Sequence, residues 1–405
     1  MEPIPRRTLT RRELLAAGTA VVAAGVLACS KTTSTTDASL ALRNARLFSA
    51  IDDSVFDGAT VAIKDDRIIA VGKDSDVRLA RGVRSIDCAG AFVMPGLIDS
   101  HTHVTITLVK REPLFGQWLR AGLLTVRDCG TLKQGPGLIR QIARELAPTP
   151  RIVAAGPILT VPGGYPITRG PAIGEPIALP ISSAADAAAA VNQVVDDGAD
   201  FIKIAVETGY PGGHLHEEGH ARTLDVPEIR AIVTAAHRRG VKVSAHLTNF
   251  WELQSALDGG VDVIAHTPLD PIPSALLQTM LDRGLPMVST LNIWGSGAVT
   301  ETAMRNVAAY ARRGGAVAMG TDYPFQAFEG LPMDELGMLQ RAGLAPVQVL
   351  LAATRNAAAV CGLTDVGVIG VGKIADVIVV QGDPTTELSA LRHVSSVIQS
   401  GREVL

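Results

Sequence analysis

The 405-residue sequence predicts an α/β fold, a (β/α)8 TIM barrel with a small β-sandwich domain formed by both chain ends. Three observations lead to this prediction. Apolar, strand-like runs alternate with helical stretches through the centre of the chain, which implies parallel strands. There are eight strand-like runs. The region that contains them and the helical stretches between them has the size of a closed barrel, which is typically ~250 residues. Short segments rich in β-branched residues occupy both ends of the chain.

The predicted barrel strands follow one another along the central region. They cover residues 96–103, 123–128, 151–158, 201–206, 241–246, 261–266, 286–290 and 316–322. Helical stretches lie between them, for example residues 183–197 and 226–239. A doubly wound open sheet is the alternative fold. It would need a glycine-rich phosphate-binding turn after a strand, and the sequence contains no GxGxxG motif.

The chain ends predict a separate small domain. Residues 41–48, 59–63 and 67–71 are strand-like, and Asp65-Asp66 has the character of a hairpin turn. Near the C-terminus, residues 376–380 and 394–398 are similar. Neither end has enough strands for a stable sheet, so we expect the two ends to pair. The predicted boundaries are residues 39–92 and 362–405 for this domain and 93–361 for the barrel.

Bulk composition limits the classes of function. Hydrophobic residues make up 47% and charged residues 19%, as in ordinary globular proteins. The net charge of −3 and the lack of a basic stripe argue against nucleic acid as a partner. The four cysteines form no CxxC pair, which argues against a disulfide framework or a zinc–thiolate site. We expect Cys88, Cys129 and Cys361 to be small buried hydrophobic residues.

Residues 1–29 have the character of an export signal. Arg11 and Arg12 precede an apolar run at residues 16–28, which is too short to span a bilayer of ~30 Å. The paired arginines resemble a twin-arginine signal. The segment Val26-Leu27-Ala28-Cys29 resembles a lipobox, so we expect lipidation at Cys29, with simple cleavage or an uncleaved anchor as alternatives. Residues 30–38 would form a tether. These features predict an exported protein of the cell envelope, periplasm or exterior, with its only membrane contact through the lipid.

Histidine, lysine and aspartate occur at the ends of the predicted barrel strands, where barrel enzymes build their sites. The set is His101, His103, Lys203, His246, His266 and Asp322. Side chains of a strand alternate between its faces, so His101 and His103 point the same way and can chelate one ion. Neutral imidazole is a common metal ligand. The sequence therefore predicts a metal site in the mouth of the barrel.

Lys203 is the unusual member of this set, because an ammonium group inside a barrel is costly to bury. One interpretation pairs it with a carboxylate. The other is that CO₂ has added to its amine, which gives an anionic carbamate that can bridge two metal ions.

These residues lie in motifs that resemble the amidohydrolase superfamily. The motifs are residues 93–103 (VMPGLIDSHTH), 201–204 (FIKI), 245–246 (AH), 264–266 (IAH), 320–322 (GTD), 372–376 (GKIAD) and 383–384 (DP). The resemblance extends from about residue 40 to residue 405, and it is strongest to the imidazolonepropionase-like and prolidase-like members with a carboxylated lysine.

The resemblance implies a site with two divalent metal ions, most simply Zn²⁺. His101, His103 and Asp322 would bind the more buried ion, and His246 and His266 the second. Lys203, carboxylated by CO₂, would bridge them together with a water or hydroxide. Such a pair of ions supplies a nucleophile at neutral pH. Asp322 would be the general base and would pass its proton to the leaving amine.

The substrate contacts depart from the family pattern. Related peptidases often carry a tyrosine before the helix that follows strand 4, where this chain has Arg222 and its neighbours. Tyr210, Arg222 or a loop histidine such as His214 would have to replace it. His216 and His220 lie in the same loop, where a third metal site is the less favoured alternative. Arg127, next to Asp128, predicts either a structural salt bridge or a substrate contact.

The predicted function is hydrolysis of an amide or peptide bond in a small molecule, such as a dipeptide or an N-acyl amino acid. The first alternative is a mononuclear cyclic-amide hydrolase or deaminase. Such enzymes usually have a glutamate three residues after the strand-5 histidine, where this chain has Asn249, and do not need Lys203. The second alternative is a non-catalytic metal-binding lipoprotein. The sequence leaves the substrate and a homo-oligomeric state open.

Overall fold

The structure is a computed structural model that describes residues 35–105, 114–133, 135–207, 222–328 and 330–404. The predicted export signal with Cys29 lies outside these ranges, as do Tyr210, His214, His216 and His220. Within the described ranges, no helix is both long enough and apolar enough to cross a membrane.

The described strands and helices follow in chain order. The strands are β1 (Leu40–Phe48), β2 (Val55–Lys64), β3 (Arg67–Lys73), β4 (Arg84–Asp87), β5 (Phe92–Pro95), β6 (Leu97–Thr102), β7 (Leu123–Asp128), β8 (Arg151–Ala154), β9 (Ile158–Thr160), β10 (Ala178–Pro180), β11 (Ile202–Ala205), β12 (Val243–His246), β13 (Val263–Ile264), β14 (Met287–Val288), β15 (Val317–Ala318), β16 (Val377–Val380), β17 (Val394–Gln399) and β18 (Arg402–Glu403). The helices are α1 (Leu114–Arg120), α2 (Gly135–Glu145), α3 (Ala187–Asp196), α4 (Val226–Arg238), α5 (Phe250–Gly259), α6 (Ser274–Arg283), α7 (Ala298–Arg312), α8 (Met333–Arg341), α9 (Pro346–Ala352) and α10 (Arg355–Val360).

The two chain ends pair into one β domain, as predicted, and their strands form a single sheet. Its strand order is β18-β17-β16-β5-β1-β2-β3, and β4 pairs with β1. The junction between the ends is the antiparallel pair β5 and β16, which places Val93 opposite Val379. The hairpin between β2 and β3 turns at Asp65-Asp66, where Asp65 has a φ of 54°. Aspartate tolerates this left-handed conformation better than most residues. The sheet has its own core of buried aliphatic side chains, including Leu42, Leu47, Val61, Val93 and Val379.

The central region forms the predicted (β/α)8 barrel. Strands β6, β7 and β8 pair in parallel, and β11 to β15 pair in parallel in chain order. Two sets of backbone hydrogen bonds join these groups into a ring. The Asp200 amide donates to the Ala154 carbonyl at 2.8 Å, and the Ser100 amide donates to the Met319 carbonyl at 3.0 Å. The barrel is therefore closed, with every strand pointing the same way.

The third predicted strand differs from the observed structure. Residues 151–158 do not form one strand, because the chain bends at Gly156, which has a φ of 72°. A Cβ there would lie 2.8 Å from a methyl carbon of Val194, so the close approach of α3 also requires glycine. After the bend, β9 pairs with β11 and with the short additional strand β10. The loop that follows β9 consequently reaches the mouth of the barrel.

The barrel interior is filled below the mouth. The buried side chains there come from five of the barrel strands and from the residue before β11; they include Ile98, Val153, Phe201, Val263, Val288 and Ala318. Cys88, Cys129 and Cys361 are buried and unpaired, as predicted. A packed floor of this kind leaves the carboxyl ends of the strands as the place for a site.

Candidate metal centre

The structure brings the six predicted ligand residues together at the carboxyl ends of the strands. All six are buried: His101, His103, Lys203, His246, His266 and Asp322. A nitrogen of His101, a nitrogen of His266 and a carboxylate oxygen of Asp322 lie within 4.8 Å of one another. The Lys203 Nζ lies 3.2 Å from the Nε2 of His101. The His246 ring centroid lies 4.4 Å from that of His266, which continues the cluster to the second predicted metal position.

Asp322 faces the His-x-His pair. Its Oδ1 lies 3.3 Å from the Nε2 of His101 and 3.2 Å from the Nε2 of His103. Period-two alternation in β6 thus aims both imidazoles at one carboxylate, as the sequence predicts. Three possible ligand atoms thus lie close together, an arrangement that suits a divalent ion.

In two of the histidines, one ring nitrogen contacts a protein oxygen outside the ligand cluster. The Nδ1 of His101 donates to the Ala265 carbonyl at 2.8 Å, because a carbonyl can only accept. The Nδ1 of His266 lies 2.9 Å from the hydroxyl of Thr290. In each case the opposite nitrogen, Nε2, faces the cluster. Such outer contacts fix the ring orientation and the tautomer of a metal-binding histidine.

Buried polar atoms without partners test whether a metal fits. Among the described residues, neither the Nε2 of His266 nor the Oδ1 of Asp322 has a hydrogen-bond partner, although both atoms are fully buried. An unsatisfied buried polar group costs about 1–3 kcal/mol. Divalent ions bound in this cluster would satisfy both atoms. Nitrogen and oxygen donors of this kind suit zinc, so the residues present fit the metal centre that the sequence predicts.

Burial also sets the protonation of the cluster. Removal from water lowers the pKa of His101 and of His266 well below the usual value, and the nearby charge of Lys203 lowers both further. Burial likewise lowers the pKa of Lys203. Neutral imidazole is the form that binds metals. A neutral amine is the form that can add to CO₂.

Two residues of the site have a left-handed backbone. Asp322 has a φ of 59° and Thr290 has a φ of 42°, and both follow a barrel strand of only two residues. A positive φ is unusual for a β-branched residue such as threonine, and such conformations concentrate at functional sites. The amide of Asp322 donates to the His101 carbonyl at 2.7 Å, which keeps the segment after β15 in register with β6. The turn directs the carboxylate of Asp322 into the mouth.

Asp99 supports the site from below. Its carboxylate accepts from the Thr321 hydroxyl at 2.6 Å and from the amides of Thr321 and His101, both at 3.1 Å. Burial raises the pKa of Asp99 to about 7, although the bonds from Thr321 and His101 act in the opposite direction. Asp99 thus connects β6 to the segment after β15, which carries Asp322. The sequence analysis did not identify this role.

Among the described residues, Arg127 forms no ion pair, with Asp128 or with any other carboxylate, in contrast to the predicted structural salt bridge. The Arg127 guanidinium lies over the Phe201 ring, 3.5 Å from its centroid, and is fully buried in the barrel interior. Asp128 instead accepts hydrogen bonds from the amides of Thr105 and Gly130. Neighbouring strand residues point to opposite sides, so the two side chains diverge. Phe201 precedes β11, which places the guanidinium toward the amino ends of the strands and away from the mouth, against a substrate contact.

Arg222 is the other described candidate for substrate contact. It pairs with Glu228, which belongs to the capping box at the start of α4. Its side chain is half exposed. The ion pair with Glu228 indicates that Arg222 stabilises the start of α4. Its contact with substrate stays a prediction.

Two residues that the sequence analysis missed contact His246. The Oε2 of Glu207 lies 2.6 Å from its Nε2, and the ring of Tyr165 stacks on it with centroids 4.3 Å apart. Glu207 gives a partial signal, since it follows Lys203 at an even spacing, but it lies two residues past the end of β11. Tyr165 gives no such signal, because it lies in the loop after β9. Burial raises the pKa of the Tyr165 phenol, and the charges of Glu207 and Asp322 raise it further.

Comparisons with known proteins agree with this fold. The imidazolonepropionase of Symbiobacterium thermophilum is 27% identical over 378 residues, which cover 81% of this chain and 85% of that protein. The crystal structure of an amidohydrolase has a TM-score of 0.77 at 26% identity and covers 90% of this chain and 98% of that chain. A Xaa-Pro dipeptidase with bound methionine has a TM-score of 0.78 at 23% identity, with 90% and 99% covered, a likeness that shows the fold. The family model for the amidohydrolase family matches residues 92–404, from the last strand before the barrel to the C-terminal strands. The chain belongs to the amidohydrolase family and is a metal-dependent hydrolase.

Proposed function

We propose that this hydrolase is binuclear and cleaves the amide or peptide bond of a small molecule, such as a dipeptide or an N-acyl amino acid. The observation that carries the proposal is Lys203. Its amine is buried within the ligand cluster, 3.2 Å from the Nε2 of His101, and no carboxylate among the described residues forms an ion pair with it. Carboxylation by CO₂ would turn it into an anion with two oxygens, which is the ligand that a two-metal site still needs.

The chain's own residues would hold two ions in two groups. His101, His103 and Asp322 would form the inner group and His246 and His266 the outer one. Lys203, 3.2 Å from the Nε2 of His101, would bridge them. Two ions bound there would lower the pKa of a shared water and polarise the substrate carbonyl. The packed floor of the barrel excludes bulk water from below, so substrate must enter from the mouth.

Asp322 is suited to the proton transfers. One carboxylate oxygen faces His101 and His103, and the positive φ of the residue aims the group at the centre of the mouth. We assign Asp322 as the general base that takes the proton from the attacking water and delivers it to the leaving amine. This transfer converts a poor leaving group into a neutral amine, which is the usual benefit of acid–base catalysis in amide hydrolysis.

A mononuclear cyclic-amide hydrolase is the second candidate. The similarity to an imidazolonepropionase favours it, as does the compact trio of His101, His266 and Asp322, which could hold a single ion. Asn249 argues against it. Its side-chain oxygen accepts from the amides of Trp251 and Glu252, both at 3.0 Å, and caps α5. The position therefore supplies a helix cap where those enzymes usually have an acid.

A substrate screen tests the proposal. Protein loaded with zinc and bicarbonate would be assayed against dipeptides, N-acyl amino acids, lactones and cyclic amides, with a chelator-treated sample as the control. We expect chelator-sensitive hydrolysis of a linear amide or peptide. Turnover of cyclic amides alone, with one metal per chain, would replace the proposed function with the mononuclear one.

A further inference from the structure

His246 differs from the other anchored histidines of the site in the group that holds it. His101 and His266 are held by neutral oxygens, from a carbonyl and a hydroxyl. His246 is held by a carboxylate, since the Oε2 of Glu207 lies 2.6 Å from its Nε2. The two side chains are both buried, so water screens this contact little.

The strand geometry brings Glu207 to this position. The amide of Val206, just beyond the end of β11, donates to the carbonyl of His246 at 2.9 Å and keeps β11 and β12 in register. Glu207 lies two residues past the end of β11, directly after this hydrogen-bonded residue. Its position beside His246 is therefore set by the register between β11 and β12.

Tyr165 stacks on one face of the His246 imidazole and restricts the orientation of that ring. Its ring is nearly parallel to the imidazole of His246, with an angle of 13° between the planes and 4.3 Å between the centroids. Stacking fixes the plane of the imidazole, and the bond to Glu207 fixes its rotation within that plane. The orientation of His246 is then fully determined, with Nδ1 as the nitrogen that remains for a metal.

We propose that Glu207 is a positioning residue for the second metal ion: it holds His246 by Nε2, leaves Nδ1 for a divalent cation, and adds a negative charge beside that cation. Tyr165 assists by fixing the plane of the ring. This inference rests on the two-metal site proposed above. A carboxylate behind a metal-binding histidine makes the imidazole a stronger donor, and loss of such a partner typically costs about 10–100-fold in metal affinity.

The effect should be confined to one of the two ions. Glu207 contacts the outer group through His246, whereas the inner group is completed by His101, His103 and Asp322. Substitution of Glu207 should therefore weaken one metal equivalent and leave the other close to its original affinity. A residue that served only the stability of the fold would not separate the two equivalents in this way.

The test is a titration of metal-free full-length protein with Zn²⁺ in the presence of bicarbonate and a competing chelator. Wild type would be compared with Glu207→Gln, Glu207→Ala, Tyr165→Phe and Tyr165→Leu. Glutamine keeps an acceptor oxygen without the charge, and alanine removes both. We expect one of two equivalents to weaken by about 10-fold in Glu207→Gln and toward 100-fold in Glu207→Ala. Tyr165→Phe should bind as wild type, and Tyr165→Leu should weaken the same equivalent.

Glu228→Gln is the matched control, because Glu228 is a buried carboxylate at the start of α4 that contacts none of the ligand residues in the described structure. It should bind both equivalents normally. Wild-type affinity for both equivalents in the two Glu207 variants would overturn the inference alone. A wild type that binds a single equivalent would overturn both the inference and the two-metal function, so the wild-type titration tells the two failures apart.

Discussion

Single residues of the site are constrained to different degrees. His101, His246 and His266 each have one nitrogen bonded to a protein oxygen. The Nδ1 of His103 is buried without a hydrogen-bond partner among the described residues, and its ring meets the edge of Phe325 at 5.7 Å between centroids. His103 is thus oriented by packing and by what its Nε2 binds. We infer that it is the ligand whose order depends most on the metal.

Asp322→Asn tests the assignment of the general base. The amide has nearly the same shape as the carboxylate, so the fold should persist, but it can neither accept the proton nor hold a cation as strongly. We expect hydrolysis to fall by at least ~10²–10⁴-fold, the usual size of a general acid–base contribution. Steady-state rates on the best substrate from the screen would measure it.

Asp334→Asn, an exposed change in the first turn of α8, controls for loss of a carboxylate as such and should leave the rate unchanged. Activity of Asp322→Asn within a few-fold of wild type would show that another group moves the proton.

Lys203→Ala tests the bridging role of the lysine. The variant should lose the bridge and much of its metal affinity. A short carboxylic acid such as acetate or propionate should partly restore activity, because it can occupy the vacated space and supply two oxygens. Lys203→Arg should not respond, since its side chain fills that space and stays cationic. Rates measured with and without added acid provide the comparison.

Equal activity of Lys203→Ala with and without acid, at a rate close to wild type, would contradict a bridging carbamate and favour the one-metal site.

The ligand residues were predictable because each rests on a local rule. Period two places His101 and His103 together, and the end of a strand places His246. Side-chain alternation in a strand does not predict the position of Glu207, because Glu207 lies two residues past the end of β11. Tyr165 was not predictable, because its contact with His246 depends on the path of the loop after β9. The salt-bridge interpretation of Arg127 does not hold, because its guanidinium lies over Phe201 and the adjacent Asp128 points to the other side of the strand.

At the scale of elements, the last barrel strands are shorter than the sequence predicts. The apolar runs at 261–266, 286–290 and 316–322 suggested strands of five to seven residues, whereas β13, β14 and β15 have two residues each. Two of the runs continue to the predicted ligands His266 and Asp322 and the third to Thr290, but hydrogen-bonded strand pairing ends before these residues. Hydrophobicity follows burial, and burial here extends past the end of hydrogen-bonded pairing.

Gly320→Ala tests how closely the segment after β15 must approach β6. A Cβ at this position would lie 2.7 Å from the Cβ of His101 and 2.5 Å from a methyl carbon of Val288. Overpacking of this kind typically costs about 1–3 kcal/mol. We expect a lower free energy of unfolding and weaker metal binding, because the strain falls on His101 and on the turn to Asp322. Urea unfolding and a zinc titration would measure the two effects.

Gly137→Ala is the matched control, since the added methyl group in α2 would meet no atom within 4 Å. Unaltered zinc binding in Gly320→Ala would show that the strands can separate without disturbing the ligands.

Glu335 makes the join between α8 and the end of β14 sensitive to pH. Its carboxyl accepts from the Ser289 hydroxyl and from the amides of Leu291 and Asn292. Burial outweighs these bonds and raises the pKa of Glu335 from 4.5 to about 7. Between these values the unfolded chain has released the proton and the folded protein has kept it. Stability from this group is therefore complete below pH 4.5 and is lost as the pH rises through about 7.

Urea unfolding of chelator-treated wild type and Glu335→Gln across this pH range would isolate the effect. We expect the stability of wild type relative to the variant to fall as the pH rises. A difference that does not change with pH would show that the carboxyl has the same pKa in the folded and unfolded states.

For the molecule as a whole, the small sheet and the barrel are joined at the strand that carries the first ligands. β5 belongs to the sheet and continues through Gly96 into β6, and the amide of Gly96 donates to the Asp376 carbonyl at 3.0 Å. The Asp376 carboxylate also pairs with Arg151 of β8 at 2.6 Å. The pairing of the chain ends was predictable, because neither end could form a sheet alone. Its connection to the barrel through Asp376 was not, because it depends on contacts between residues more than two hundred positions apart.

The central claim is a two-metal site bridged by a carboxylated Lys203. The most direct measurement is a crystal structure of the full chain loaded with zinc in bicarbonate, with anomalous diffraction at the zinc edge. We predict two anomalous peaks, one between His101, His103 and Asp322 and one beside His246 and His266. Continuous density should extend beyond the Nζ of Lys203 and reach both peaks. A single peak, with a bare Lys203 amine that points away from it, would contradict the account.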